Sequence, residues 1–267
     1  MIKFFPDFNT FLTIGPFSIQ MYAVMILTGA AIAYSVAKKR FESKGYDSSI
    51  LSDYFFNMLF IGILGARIWY VVFKFNDLYI QDPLQIFAIW NGGLAIQGGI
   101  VAGLIYSYIF FKNNNICFLR AGDAIMPCVL IAQACGRWGN FFNHEAFGSD
   151  VTLEFLQSLM LPEFIIKHMY INGAYHHPTF LYEMLGNLAV FFIIVFVVGK
   201  FQKYKGTQFF SYFIGYGIVR YFVEGLRTDS LMLGSIRMAQ LTSIVFIIAG
   251  LIGIYIVYKK GWKEVSE

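Results

Sequence analysis

Residues 239–258 read AQLTSIVFIIAGLIGIYIVY, an unbroken run of 20 positions without a charged side chain. A helix needs about 20 mostly apolar residues to cross the hydrocarbon core of a bilayer. The run therefore predicts a transmembrane helix, and similar runs recur along the chain. The seven predicted spans are 18–37, 50–73, 94–111, 118–138, 179–199, 208–226 and 239–258.

The composition agrees with a membrane protein. Of the 267 residues, 58% are hydrophobic and 13% are charged, whereas soluble chains carry about 25% charged residues. This excludes intrinsic disorder, a disulfide-rich secreted module and a collagen-like chain. The net charge of +4 is spread between apolar runs, which argues against nucleic-acid binding. We predict an all-α polytopic membrane protein in which residues 1–267 form a single domain.

The positions of the lysines and arginines predict the orientation. The connections after the first, third and fifth spans, the adjoining span ends and the C-terminal tail hold 12 of the 20 basic residues. The opposite side holds five, and basic residues collect on the cytoplasmic side of membrane proteins. We therefore expect the N-terminus outside and the C-terminus in the cytoplasm. The first span lacks the features of a cleaved signal peptide, so we expect it to remain as an anchor.

The longest connection between spans, residues 139–178, then lies outside the membrane. It contains all four histidines of the chain. Connections of this length usually carry structure of their own. We expect this loop to form most of a small extracytoplasmic head.

Three arginines lie within spans or at their ends, where an unpaired charge is costly. By the helical rise, Arg67 and Arg220 each lie about 9 Å from the outer end of their span, and Arg137 lies at the outer end of the fourth. Tyr216 and Glu224 are each four residues from Arg220, on the same helical face. We expect the arginines to meet at the outer leaflet and to bind the phosphate of an anionic lipid head group. The alternative is that each reaches the bilayer surface or forms a structural ion pair.

Two glycine pairs, Gly92-Gly93 and Gly98-Gly99, precede and open the third span. Glycine there permits a re-entrant turn, which is tolerated at membrane depth where it lines a cavity. Glycine also permits close helix packing, and Gly99 and Gly103 have the spacing typical of that role. Both interpretations remain open from the sequence.

The densest polar cluster is GRWGNFFNHEAFG, residues 136–148, at the outer end of the fourth span. This segment closely resembles the signature of bacterial prolipoprotein diacylglyceryl transferases. Five further segments are similar to that family in the same order. They are Tyr22, Gly65-Ala66-Arg67, the two glycine pairs, His177-Pro178-Thr179-Phe180-Leu181-Tyr182-Glu183, and Tyr216, Arg220 and Glu224 followed by Arg227 and Asp229.

The resemblance implies an enzyme of the bacterial plasma membrane that begins lipoprotein maturation. Such an enzyme transfers diacylglyceryl from phosphatidylglycerol to the lipobox cysteine of a prolipoprotein, and it releases glycerol phosphate. Its active site faces the extracytoplasmic leaflet. The resemblance implies that Arg137 and Arg220 are essential. It also implies that Tyr22, Asn140, Glu145, Gly148, Tyr216 and Glu224 are important.

Gln97 departs from the family pattern, which often has histidine at this position. A general-base role has been suggested for that histidine, and an amide cannot take a proton from a thiol. Either the histidine is dispensable in this chain, or His144, Glu145 or another group substitutes for it.

The residues support a hypothesis for the roles. Arg137 and Arg220 would bind the phosphate and the attacking or leaving anion, and Glu145 would orient an arginine or receive the thiol proton. We expect Asn140 and Asn143 to position the lipid glycerol. We also assign Tyr22, Arg67, Gln97, Gly148, Tyr216 and Glu224 to the binding of phosphatidylglycerol. We expect no metal or cofactor, because the spacing of Cys117, Cys128 and Cys135 suits buried apolar positions.

Four other classes of function compete with this hypothesis. A retinal protein needs a lysine in its last span, and residues 239–258 contain none. A transporter would place its polar groups near the membrane midplane, whereas those of this chain are predicted to gather in the outer third. A zinc site from His144, Glu145, His176 and His177 is conceivable, but the spacing matches no metalloprotease motif. A non-catalytic lipid-binding scaffold remains open, because it would need the same arginines.

Overall fold

The computed structural model describes residues 2–80 and 82–263. Seven long helical segments follow the seven predicted spans in chain order. They are α1 (Met21–Ser43), α2 (Ser48–Lys74), α3 (Ile96–Asn113), α4 (Phe118–Phe142), α7 (Thr179–Phe192), α9 (Thr207–Leu226) and α10 (Met238–Lys260). Helix α7 continues through a π-helical segment, Ile193–Val198, into a last turn, α8 (Gly199–Phe201).

Within the described residues, five helical segments are long and apolar enough to cross a membrane: α1, α2, α4, α10 and Thr179–Phe201. The chain is therefore a mostly helical, polytopic membrane protein. The two other long helices, α3 and α9, are not among these five segments. Seven spans thus stay a prediction.

The all-α prediction holds only for the long helices, because the connections contain short antiparallel strands. A first sheet joins β1 (Ile2–Phe4), β2 (Thr10–Ile14) and β3 (Phe17–Gln20). A second has the order β4-β6-β5, from Asp150–Val151, Ala174–His176 and Tyr170–Ile171. A hairpin pairs β7 (Met232–Leu233) with β8 (Ile236–Arg237). The predicted first span, 18–37, is wrong at its start, because residues 18–20 belong to β3 and helix begins at Met21.

The chain divides into two compact units, each described here by itself. The first contains the residues up to 37 and those from 122 onward, and the second contains residues 38–121. The single domain predicted for 1–267 therefore stays a prediction.

In the first unit, close helix contacts fix the position of α9. A Cβ atom at Gly186 or Gly215 would lie within 3 Å of Val219 or Val190, so α7 and α9 pack with their backbones close together. At the other end of α9, the buried Asp123 of α4 accepts hydrogen bonds from the backbone N–H groups of Gly206 (2.6 Å) and Phe209 (2.8 Å). A carboxylate at this position stabilises the start of a helix.

Residues 143–178 of the first unit, called the head below, have an apolar core. Two short helices, α5 (Leu153–Ser158) and α6 (Glu163–His168), contribute buried side chains to it. The core cluster consists of Phe141, Leu156, Ile165, Met169 and Phe180. Phe8, from the loop between β1 and β2, stacks on the ring of His168 with centroids 3.5 Å apart. The loop thus folds into a head whose core includes residues from outside 139–178, and its extracytoplasmic location stays a prediction.

In the second unit, the glycine pair Gly98-Gly99 lies at the contact between α2 and α3. A Cβ atom at Gly98 would lie 2.2 Å from the carbonyl oxygen of Gly65, and one at Gly99 would lie 3.1 Å from that of Gly62. Helix packing is therefore the correct interpretation of this pair. The pair Gly92-Gly93 has another role, because both residues have positive φ angles, 82° and 76°, in the turn before α3.

Candidate active site

Arg137 and Arg220 meet on one buried carboxylate. Arg137 lies in the last turns of α4, Arg220 lies in the C-terminal half of α9, and Glu183 lies near the start of α7. The Nε atom of Arg137 is 3.2 Å from Oε1 of Glu183, at an angle that does not make a hydrogen bond. The Nη1 atom of Arg220 donates to Oε2 of Glu183 at 3.0 Å. Three helices thus bring two guanidinium groups to opposite oxygens of one side chain.

Glu224 holds the other side of the Arg220 guanidinium. Nη2 of Arg220 donates to Oε2 of Glu224 at 2.5 Å, one helical turn away. Arg227 lies 3.9 Å from the same oxygen and makes a bidentate ion pair with Asp229. This hydrogen bond to Arg227 holds the pKa of Asp229 below its usual range. Arg237 donates to the backbone carbonyl of Glu224. Arg220 is therefore fixed on two sides by carboxylates that are themselves fixed.

On the side of α4, Asn140 links Arg137 to Glu145. Its Oδ1 atom accepts from Nη1 of Arg137 at 2.9 Å, and its Nδ2 atom donates to Oε1 of Glu145 at 2.7 Å. The amide orientation is set because one neighbour can only donate and the other, when ionised, can only accept. Glu145 lies just beyond α4 because His144 and Ala146 adopt positive φ angles, 51° and 59°, and turn the chain back.

The glycines of the signature allow close contacts around this network. A Cβ atom at Gly139 would lie 2.5 Å from the ring of Tyr22, so this glycine lets Tyr22 of α1 pack on α4. Gly148 donates its N–H to the carbonyl of His177, and a Cβ atom there would lie 2.6 Å from the His177 side chain. Both glycines therefore bring chain segments together around the arginines.

Two other predicted residues of the first unit make no hydrogen bond to the arginines in the described part of the chain. Tyr216 stacks on Tyr212, with ring centroids 5.8 Å apart, one turn below Arg220 on α9. Asn143 is exposed at the end of α4. Their assignment to lipid binding stays a prediction.

Arg137 keeps donors available at this site. Among the described residues, its Nη2 atom donates to no protein acceptor, and its side chain is 22% exposed. Arg220 is less exposed and uses both of its terminal nitrogens on carboxylates. An arriving phosphate can therefore take the outer edge of Arg137 without breaking an ion pair of Arg220.

Arg67, in the second unit, has a different environment. Its guanidinium donates to five backbone carbonyls, those of Ile86 (2.9 Å), Gly92 (2.7 Å), Gly93 (2.9 Å), Gln85 (2.6 Å) and Ala88 (3.4 Å). Five is the number of N–H groups that an arginine side chain has. We therefore correct the expectation that Arg67 offers a fork to a lipid phosphate, because its donors are already used within its own unit. Its grouping with the other two arginines stays a prediction.

Gln97 is the second residue of α3 and is exposed. In residues 2–80 and 82–263, its side chain has no hydrogen bond. It belongs to the second unit, so its role at the site also stays a prediction.

Glu183 is the site residue that the sequence interpretation missed. It lies in a motif that carried the resemblance, but no role was assigned to it there. Its side chain is 2% exposed, and acidic residues are almost never so buried unless they are paired. A carboxylate near the start of a predicted apolar span was the available signal, because such a charge requires a partner.

Comparisons with known proteins identify the family of the chain. The family model described as prolipoprotein diacylglyceryl transferase matches residues 9–256. Proteins named phosphatidylglycerol–prolipoprotein diacylglyceryl transferase are similar over nearly the whole chain. The one from Halalkalibacterium halodurans is 44% identical over 91% of this chain and 84% of its own length. Those from Staphylococcus haemolyticus and Bacillus cereus are 45% and 44% identical, over 91% and 93% of this chain and 86% and 91% of their own lengths. With a match of this extent, the chain belongs to the prolipoprotein diacylglyceryl transferase family.

Proposed function

We propose that this chain is an enzyme that transfers the diacylglyceryl group of phosphatidylglycerol to the lipobox cysteine of prolipoproteins. The observation that carries the proposal is the meeting of Arg137 and Arg220 on Glu183, next to an Arg137 edge with free donors. The family membership supplies the substrates, because the relatives are named for phosphatidylglycerol and prolipoprotein. The reaction is the first step of lipoprotein maturation.

The proposal includes seven spans in the bacterial plasma membrane, with the N-terminus outside and the C-terminus in the cytoplasm. Support comes from the seven long helices and from the excess of basic residues on one set of connections. In this orientation Arg137 lies at the outer end of α4, so the active site faces the extracytoplasmic leaflet.

The reaction is a displacement at the glyceryl carbon that bears the phosphate. The cysteine sulfur forms the new C–S bond, the C–O bond to the phosphate breaks, and glycerol phosphate leaves with the electron pair. Negative charge develops on the departing phosphate, and the free edge of Arg137 stabilises it. The nearby guanidinium groups also favour the thiolate over the thiol.

Glu183, Glu224 and Arg220 act together on the position of Arg137. Arg220 is held from two sides, so it fixes Glu183, and Glu183 in turn faces Nε of Arg137. Glu145 orients Asn140, which holds Nη1 of Arg137. The Arg137 fork is therefore set before a lipid arrives, which lowers the cost of reaching the transition state.

Glu145 also offers an acceptor for the thiol proton. Its side chain is exposed, and among the described residues only its Oε1 atom is hydrogen-bonded. An ionised carboxylate oxygen accepts a proton, which Gln97 cannot do.

Reconstitution tests the proposal. The purified protein is placed in vesicles of phosphatidylglycerol with a synthetic signal peptide that contains a lipobox cysteine. We expect release of glycerol phosphate and a peptide whose mass has increased by one diacylglyceryl group. A peptide with serine in place of the cysteine is the control for spontaneous lipid breakdown. Lipid binding without glycerol phosphate release would identify a non-catalytic scaffold instead.

A further inference from the structure

The segment between α2 and α3 has an exposed apolar face. Three large side chains, those of Leu84, Phe87 and Trp90, are 78%, 75% and 79% exposed. They lie in two short 3-10 helices, Pro83–Phe87 and Ile89–Asn91. A 3-10 helix has three residues per turn, so side chains spaced by three lie on one side. Leu84 and Phe87 therefore lie on one side of the first helix, and the second helix adds the exposed Trp90.

Arg67 holds the backbone of this segment in place. Its five hydrogen bonds reach carbonyls from Gln85 to Gly93. Its guanidinium also lies 5.7 Å from the ring centre of the buried Tyr79. The absence of a side chain at Gly93 makes room for the Arg67 guanidinium, since a Cβ atom there would lie 2.6 Å from Nη1 of Arg67. The backbone of the segment is thus fixed in place, while the side chains of Leu84, Phe87 and Trp90 are exposed.

We propose that residues 82–93 form an interfacial lip, whose apolar face inserts into the membrane surface and which Arg67 holds in position. The partner is a lipid surface because the segment joins two long helices at one end of each: α2 ends at Lys74 and α3 begins at Ile96. Tryptophan and other amphipathic groups are enriched at this level of a bilayer. Arg67 is a positioning residue in this proposal, and it does not touch the substrate.

Nitroxide labels measure the depth of the lip directly. Single cysteines replace Leu84, Phe87 or Trp90 in a full-length variant in which Cys117, Cys128 and Cys135 are alanine. The labelled proteins are placed in vesicles of phosphatidylglycerol and phosphatidylcholine. We expect labels about 5–10 Å below the head-group boundary, with greater accessibility to oxygen than to a water-soluble nickel chelate. Met160→Cys is the matched control, because Met160 is a large apolar side chain of the head that is 91% exposed.

Two outcomes would overturn the lipid-facing lip. Nickel accessibility equal to that of the Met160→Cys label would place the segment in water. Shielding from both oxygen and nickel would show that another protein surface, such as a second copy of the chain, covers the apolar face.

Arg67→Met tests the role of the arginine. We expect the labels at positions 84, 87 and 90 to become more mobile and to lose their common depth. A label at Ile109→Cys, on the exposed side of α3, should remain unchanged. Gly93→Ala is a second variant, which leaves the charge of Arg67 in place. The added Cβ atom would lie 2.6 Å from Nη1 of Arg67 and should displace it from its carbonyl partners. Unchanged labels on the lip in both variants would show that Arg67 does not hold it.

Discussion

The arginines at positions 137 and 67 have the same chemistry and opposite surroundings. Arg137 faces a carboxylate and an amide and keeps an exposed edge with free donors. Arg67 is 7% exposed and gives its donors to backbone carbonyls. A guanidinium is a candidate for ligand binding when part of its fork is unused, and a structural residue when the fork is full. The predictions below test this distinction, beginning with the largest expected effect.

Arg137→Lys should cause the largest loss of activity. Lysine keeps the positive charge but cannot present two parallel N–H groups to a phosphate. We expect a fall of about 10²–10³ in the rate of transfer, the range seen when a single donor to a developing anion is removed. The rate of glycerol phosphate release in the reconstituted assay measures this. A normal rate would show that Arg137 does not bind the phosphate.

Glu183→Gln should reduce both activity and stability. The substitution keeps the shape of the side chain but leaves two arginines without their shared counter-charge. Removing one partner of a buried ion pair costs about 3–5 kcal/mol. Thermal unfolding in detergent measures the stability, and the transfer assay measures the activity. Glu163→Gln, in α6 of the head, is a matched control, and equal losses in the two variants would contradict the role of Glu183.

Whereas Arg137→Lys should mainly lower activity, Arg67→Met should lower stability more than activity. Its main effect should be on stability, because five backbone carbonyls lose a charged donor and hydrogen bonds to charged groups contribute about 1.5–3 kcal/mol each. We expect a larger fall in the unfolding temperature than in the transfer rate per folded molecule. A large loss of rate with unchanged stability would place Arg67 among the lipid-binding residues.

Gln97→Ala should lower the rate of transfer by no more than about tenfold. The variant can lose at most a neutral hydrogen bond from Gln97 to the bound lipid, and such a bond contributes about 0.5–1.5 kcal/mol. The side chain is exposed and its hydrogen-bonding groups are unused within the described part of the second unit. Complete loss of transfer with an intact fold would give Gln97 a direct role in the reaction.

Acidification should have the smallest effect, confined to the head. Partial burial lowers the pKa of His144, and burial together with repulsion by His144 and Lys167 lowers that of His168. The folded head therefore binds fewer protons than the unfolded chain, whose histidines titrate near pH 6.5. Its stability is full above that pH and falls as the pH drops through the lowered values. Proteolysis of the head at pH 7 and pH 5 measures this, and in His168→Phe the difference should shrink.

Much of the fold could be predicted because a run of 20 apolar residues is a strong one-dimensional signal. The exceptions have local causes. Residues 17–20 are apolar enough to continue a span, but pairing with β2 makes them a strand. The depth of Arg67 could be estimated from helix length, but its partners could not. They lie up to 26 residues away, in the connection between two predicted spans.

The candidate site was predicted less completely, for a related reason. Arg137, Asn140 and Glu145 lie within nine residues, so their proximity follows from the chain itself. Glu183 joins them only because α7 packs against α9, and that packing depends on Gly186 and Gly215 meeting valines of the partner helix. A contact of this kind is a property of two surfaces, which a single segment does not reveal.

The hydrogen bonds to Asp123 fix the start of α9, and through it the position of side chains further along the helix. Arg220 lies 11 residues beyond Phe209, about 16 Å along the helix. Were α9 to slide by one turn, the Arg220 guanidinium would shift by about 5.4 Å and lose its carboxylate. Asp123 sets the register that prevents this, so an inhibitor or mutation acting at the start of α9 could silence chemistry that it never touches.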